Sequence, residues 1–449
     1  MLITHANIAT LGAEPQLIED GAILVRGHLI EAIGDTQRLA TQYPEEERLD
    51  AEGQLAMPAA LCGHTHFYSA FARGWAYPGP PAAGFTEILE RLWWRLDKQL
   101  TLEDVRYSAL VCLSDAIRHG TTTLIDHHAG PNAIEGSLDV IADAVLESGI
   151  RASLAYEVSD RDGPKRAQAG IAENVRFLRR MQEEPHPQLA ASFGLHASLT
   201  LSDATLAASV AAASDLARDG HPCGFHIHGA EGIADVEDSL AKSGVRAIAR
   251  LGAAGILGPQ TIVAHAVHID AAEIALLAET GTWVTHQPRS NMNNAVGFAH
   301  VEAMLDQGVK IALGNDGFSN NMAAEMKTAY LAHKLVQRDP RAMPADLVIR
   351  MAYDSNAALA RIFWTQQQLG VLAPGAVADL VLIDYHPTTP LTAGNLPWHM
   401  IFGYEASAIT TTMSAGRLLM HRRRLLTLDE TAITARSREL AAALWVRAG

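Results

Sequence analysis

Residues 59–66 read Ala-Ala-Leu-Cys-Gly-His-Thr-His, a short run of small and apolar residues passing through Gly63 into His64 and His66. On an extended backbone alternate side chains share a face, so these two imidazoles point the same way. The same plan recurs along the chain. Further apolar or β-branched runs occupy 121–125, 151–156, 190–195, 223–227, 261–264, 282–285 and 310–313. With 59–62 they make eight candidate strands, and the longer stretches between them have helical period, several of them rich in alanine. Eight successive strand-helix units favour a closed (β/α)8 TIM-like barrel over an open sheet.

Working outward from the barrel, residues 1–57 and 375–449 return to short strands and turns, the latter closing with a helix over 429–447. Neither end buries much apolar area alone. The expectation is one small composite β-sandwich domain made from both termini, with the barrel, 58–374, inserted between them. The Pro/Gly stretch 78–84 reads as a loop tip over the first strand, and 67–100 as an insertion that covers the barrel mouth.

A chain of 449 residues with 48% hydrophobic and 19% charged residues has the size and balance of such an assembly. Its net charge of −15 argues against a nucleic-acid partner, which needs a basic face. Cys62, Cys112 and Cys223 are too few and too scattered for a disulfide framework or a cysteine metal site, and are read as core thiols. No signal peptide and no membrane-length apolar run is evident, so a cytoplasmic protein is expected.

Histidine stands out, at 20 copies. It occurs at the C-terminal end of six of the eight candidate strands: His64 and His66, His127 and His128, His196, His228, His265 with His268 beyond it, and His286. The eighth strand ends in Gly314-Asn315-Asp316-Gly317. Barrel active sites form at that rim. One His-x-His pair means little, but a ring of imidazoles with a carboxylate is not what structural histidines produce by coincidence. Three imidazoles and one carboxylate leave a coordination position open for water, as a catalytic zinc or iron site requires. His226 falls on the same face as His228, one step deeper. His5, His28, His119, His186, His221, His333, His386, His399 and His421 are read as surface or structural.

The motifs Met57-Pro58 leading to His64-Thr65-His66, His228-Gly-Ala-Glu231, Val263-Ala-His265, His286-Gln-Pro-Arg-Ser-Asn291 and Leu313-Gly-Asn-Asp316-Gly317 resemble the amidohydrolase superfamily, in its aminohydrolase branch of cytosine, guanine, adenosine and triazine hydrolases. The tail Gly370–Gly375 and Ala378-Asp379-Leu-Val is similar too, so the likeness spans essentially the whole chain. Trp93-Trp94-Arg95-Leu96-Asp97, Ile125-Asp-His-His128 and Arg289-Ser-Asn-Met-Asn-Asn294 most resemble the SsnA-like aminohydrolases. The resemblance implies that His64, His66, His228 and Asp316 bind one divalent metal, zinc or iron. It also implies that Asp316 accepts a proton from the attacking water, that His265 orients or polarises that water or the developing oxyanion, and that Glu231 protonates a ring nitrogen. His196 matches a position that contacts substrate. Ala59 and Asn315 depart from the usual glycine and threonine without removing a ligand, whereas Asn291–Asn294 departs at the substrate edge.

Relatives with two metals bridge them through a lysine at the end of strand four. Lys165, the only lysine between Lys98 and Lys242, lies in a polar loop after strand three, so one metal is expected. A single metal with the His-x-x-Glu acid favours hydrolytic deamination of an N-heterocycle of purine, pyrimidine, pterin or triazine type. The alternatives are hydrolysis of a cyclic amide, loss of a leaving group other than an amine, or a non-catalytic scaffold. Further substrate contacts are expected from Glu157, His268 and His286, and a stacking wall from Phe67, Tyr68, Phe71 and Trp75, with Trp93 and Trp94 favoured as ordinary packing. The branch is often dimeric, so a homo-oligomer is expected.

Overall fold

In the structure, a computed structural model, residues 1–220 and 222–449 are described; His221 lies outside the described residues. The barrel strands are Ala60–Thr65, Thr121–Asp126, Arg151–Leu154, a fourth in two pieces (Leu189–Ala191 and Phe193–Ala197), Phe225–Gly229, Ile262–His265, Trp283–His286 and Lys310–Leu313. They pair in parallel in chain order, Leu189–Ala191 with strand three and Phe193–Ala197 with strand five. Helices lie between them, and the strands are buried on both faces, as a parallel sheet covered by helices must be.

The ladder thins at two seams. Between strands one and eight, the Asn356 carboxamide donates to Leu61 O (2.6 Å) and Leu313 O (2.9 Å) and accepts from Leu313 N (2.7 Å). A Cβ on Gly314 would stand 2.8 Å from His64 O, so only glycine lets the eighth strand come this close to the first. At the rim the backbone takes over, with Asn315 N and Asp316 N donating to His64 O and His66 N to Asp316 O. Between strands three and four, Asn174 of helix Pro164–Glu183 accepts from Tyr156 N (2.9 Å) and Gly194 N (3.2 Å) and donates to Tyr156 O (2.8 Å) and Gly194 O (3.2 Å). Gly194 is again the residue that permits the approach, since a Cβ there would meet Tyr156 O at 2.3 Å.

The two termini share one nine-stranded sheet. Its path runs Arg424–Leu425, Arg417–His421, Ile409–Ser414, Leu380–Ile383, Leu55–Pro58, Leu2–Ala9, Leu17–Arg26, Leu29–Asp35, with Arg48–Asp50 also on Leu2–Ala9. One face forms a core of Ile3, Ile8, Ile23, Ile30, Leu380 and Met413; Met57, Val381, Ile409 and Leu419 join the core of the barrel. A buried ion pair ties the sheet to the start of strand three, Asp379 to Arg151 at 2.6 Å. The closing helix, Glu430–Ala448, lies on Leu102–Arg118, where Arg447 meets Asp104 at 2.6 Å and the Trp445 indole donates to Phe71 O at 2.7 Å. Among the described residues no helix is long and apolar enough to cross a membrane, and the three cysteines are free.

Candidate active site

The strand ends bring His64, His66, His228, His265 and Asp316 into one buried cluster. His66 Nε2 lies 2.8 Å from Asp316 Oδ1, His64 Nε2 lies 3.2 Å from the same oxygen, and His66 Nε2 and His228 Nε2 are 3.2 Å apart. Asp316 and His265 hold left-handed backbone, φ 57° and 73°, a conformation that costs a non-glycine residue about 1–3 kcal/mol and is kept where geometry matters more than stability.

The hydrogen bonds around the cluster decide which ring atoms are free. His66 Nδ1 donates to His127 O (2.6 Å) and His228 Nδ1 to His196 O (2.8 Å), because a carbonyl can only accept. When both rings are neutral their Nε2 lone pairs face one another, an arrangement relieved only by a proton or a metal cation at that point. His64 is braced from below by His226, Nδ1 to Nε2 at 2.8 Å, and turns its Nε2 to Asp316. Burial alone lowers the His66 imidazole, yet the Asp316 and Glu157 carboxyls outweigh it and hold it up at about 9. The Asp316 carboxyl is held well below the usual range because its bonds to His64 and His66 outweigh its burial. The cluster thus calls for positive charge. One ligand atom from each of His64, His228, His265 and Asp316 lies within 4.8 Å of the others, as does one from each of His64, His66, His127 and His228, so the donor set fits a divalent metal.

Opposite Asp316 stands Glu231. Burial pushes its carboxyl up to about 7 against the pull of His265. His265 Nδ1 donates to Asn291 Oδ1 (2.8 Å), which leaves the Nε2 lone pair 3.4 Å from Glu231 Oε2. Asn294 Nδ2 donates to Glu231 Oε1 (3.2 Å) and lies 3.3 Å from Ser290 Oγ, which in turn donates to Asp316 Oδ2. The segment that departs at the substrate edge therefore links the two carboxyls across the mouth.

The pocket above the cluster is lined by His66, His228, Glu231, Asp316, Glu157, His196, Asn294, Tyr68, Trp93 and Trp94, among others. Glu157 Oε1 is buried without a hydrogen-bond partner, and burial pushes this carboxyl up to about 8. His196 Nδ1 is paired with Thr200 Oγ1 at 2.7 Å, and its Nε2 lies 3.8 Å from Glu157. The expected stacking wall is redrawn. Trp93 and Trp94 line the pocket instead of merely packing, whereas Phe67 and Phe71 sink into the core and Trp75 turns to Tyr77. Phe85, unremarked in the sequence, joins the roof. Two glycines seat that roof: a Cβ on Gly232 would lie 2.6 Å from Phe85, and one on Gly317 would lie 3.1 Å from Trp93. These glycines directly follow Glu231 and Asp316.

His268 and His286 stand outside this wall. His268 Nε2 is paired with Val296 O at 2.6 Å, and His286 is turned to a buried His333, Nε2 to Nε2 at 3.2 Å. His127 and His128 are both buried: His127 stacks on His226 with centroids 4.3 Å apart, and His128 lies against Tyr156. Lys165 is exposed on the first turn of its helix, and strand four ends in His196-Ala197, so among the described residues no lysine stands at that part of the rim.

The model of the amidohydrolase family matches residues 55–419. The chain belongs to the amidohydrolase family. Similar proteins include a 5-methylthioadenosine/S-adenosylhomocysteine deaminase of Desulforudis audaxviator, 32% identical over 417 residues and 92% of each chain. A 5'-deoxyadenosine deaminase of Methanosarcina mazei is 31% identical over 451 residues, covering 100% of this chain and 99% of its own. Among solved structures, an adenosine deaminase from Xanthomonas campestris with bound zinc superposes with a TM-score of 0.85 at 25% identity, over 99% of this chain and 98% of that one. This amidohydrolase is a metal-dependent hydrolase of C–N bonds, and its activity is hydrolytic deamination of an N-heterocycle.

Proposed function

We propose that this amidohydrolase removes the exocyclic amine of an adenine nucleoside as ammonia, with zinc as its metal and His64, His66, His228 and Asp316 as the ligands. The observation that carries the reading is the pair of opposed carboxyls, Glu231 protonated near neutral pH and Asp316 ionised, on two sides of one buried mouth. Environments that push two carboxyls apart assign an acid and a base. The similarity to deaminases of adenosine derivatives supports the choice of ring.

When bound, the cation supplies Lewis acidity, which makes water a nucleophile near neutral pH. Asp316 takes one proton from the attacking water, and the His265 Nε2 lone pair accepts a hydrogen bond that aims it. As the new C–O bond forms at the carbon bearing the amine, Glu231 delivers its proton to the adjacent ring nitrogen, so no full negative charge collects on the ring. The proton on Asp316 passes to the amine, the C–N bond breaks as the C=O bond forms, ammonia leaves, and the hydroxyl proton returns Glu231 to its acid form. Glu157 and His196 hold the polar edge of the ring, and Tyr68, Trp93 and Trp94 cover its faces.

The test is ammonia release by zinc-reconstituted enzyme across purine nucleosides, free purines, pyrimidines, pterins and triazines, with chelated enzyme as control. Adenine nucleosides are expected to give the highest kcat/KM, and the chelated sample none. A pyrimidine or triazine turned over faster than any adenine nucleoside defeats the proposed substrate. Full activity after complete metal removal defeats the proposed chemistry.

A further inference from the structure

The acid side of the pocket hangs on a strained turn. Strand five ends at Gly229, and the chain then passes through Ala230 at φ 51°, a left-handed backbone that an alanine holds only at a cost. Glu231 comes next, so the direction of Ala230 sets where the Glu231 side chain points. Both backbone groups of Ala230 are tied. Its carbonyl accepts from Val267 N at 3.1 Å and from His268 N at 2.9 Å, and its N–H donates to Asp235 Oδ2 at 2.7 Å.

Asp235 stands on the first turn of the helix Ile233–Ser243, whose N-cap, Gly232, has no side chain to satisfy the free amides there. An acid at this third helical position is favoured by the helix dipole, and in a capping box it reaches back to the N-cap amide. Here it reaches two residues further, to Ala230. Its other oxygen, Oδ1, accepts from Leu199 N at 2.7 Å, in the turn Ser198–Thr200 that follows strand four. That turn is itself fixed. Arg250 donates to Ser198 O and to Leu201 O, both at 2.8 Å, and Lys242 Nζ donates to Leu199 O at 2.8 Å. Burial pushes the Asp235 carboxyl up only to about 6, so it is ionised near neutral pH. Although Asp235 borders the pocket, both of its oxygens are committed to backbone amides.

We propose that Asp235 is a positioning residue for the deamination, bracing the Glu231 turn against the turn after strand four and so holding the proton donor over the ring. The inference rests on the reading of Glu231 as the acid. Without the brace Ala230 is free to leave its strained conformation, and Glu231 moves off the ring nitrogen while the metal ligands stay. A displacement of about 1 Å at a reacting group can cost about 100-fold in rate.

The test is a double-mutant cycle on zinc-reconstituted enzyme, run with whichever purine, pyrimidine, pterin or triazine it deaminates fastest. Asp235→Ala is expected to lower kcat and kcat/KM together by about 100-fold, with bound zinc unchanged by elemental analysis. In a Glu231→Gln background the same change is expected to cost about threefold or less, because a misplaced acid and a missing acid are one loss, not two. Asp235→Asn keeps the shape and one accepted bond. It is expected to lose about tenfold and carries the test should the alanine variant not fold. An Asp235 loss undiminished in the Glu231→Gln background overturns the proposal. So does zinc lost from the Asp235 variants, which puts the effect at His228. Parental rates in the Asp235 variants, beside an inactive Glu231→Gln, overturn it and leave the acid standing. Full turnover by Glu231→Gln sinks the acid reading and this inference with it, as does an absence of ammonia from every compound.

Discussion

Two seams close this barrel, and they are built alike from unrelated stretches of chain. At each, a glycine lets two strands approach and a helix asparagine supplies the hydrogen bonds the ladder omits: Gly314 with Asn356 between strands eight and one, Gly194 with Asn174 between strands three and four. What they carry differs. The first seam ends in His64, His66 and Asp316, three of the four residues of the proposed metal centre. The second ends in Glu157 and His196, on the wall of the pocket. The same carboxamide device therefore separates two tasks, one seam setting the reacting cation and the other the substrate edge.

Asp316→Asn removes the charge at the rim of the first seam and is expected to lower kcat by about 10,000-fold, with unchanged far-UV circular dichroism; turnover within tenfold of the parent breaks the assignment. Asn356→Ala leaves the buried backbone of Leu61 and Leu313 unpaired. It should cost about 2–4 kcal/mol in denaturant unfolding and weaken metal retention by about 10–100-fold in a chelator titration. Asn174→Ala should destabilise by a similar amount yet keep its metal, with KM raised about tenfold as Glu157 and His196 shift. If the two variants lose metal equally, the division between the seams is wrong. The smallest effect concerns pH. Because Glu231 must be protonated to act and its carboxyl sits at about 7, kcat/KM should fall as pH rises through that value. Asn294→Leu removes a donor that favours the ionised form, so this falling limb should move up by about half a unit. A limb that does not move removes Asn294 from the link between the carboxyls.

The barrel was legible because its strands are apolar and evenly spaced, and Lys310–Leu313 has the bounds its composition suggests. Strand one reaches to Thr65 and strand five to Gly229, beyond their apolar runs, because a strand that finishes in histidines reads as a loop, whereas strand three stops at Leu154, short of the run expected to 156. Alternation placed His226 beneath His228's face, where it braces His64. The seam asparagines left no local trace. Asn174 and Asn356 sit in helices without motif, and only the tertiary fold shows that their carboxamides complete a sheet. Asn294 stood out as a departure, but its role needed Glu231 and Ser290 in view. Phe85 was missed because it follows the proline-rich stretch at the first turn of a four-residue helix, where nothing in sequence tells a roof from a loop.

The seating of Phe85 and Trp93 on Gly232 and Gly317 has an optical consequence. The indole of Trp93 rests against the residue that follows Asp316, on the wall that a ligand must touch. Any compound that fills the pocket alters the polarity around that ring, so the emission of this protein can report occupancy directly. Binding of an unreactive analogue thereby becomes a titration that uses no label and no turnover.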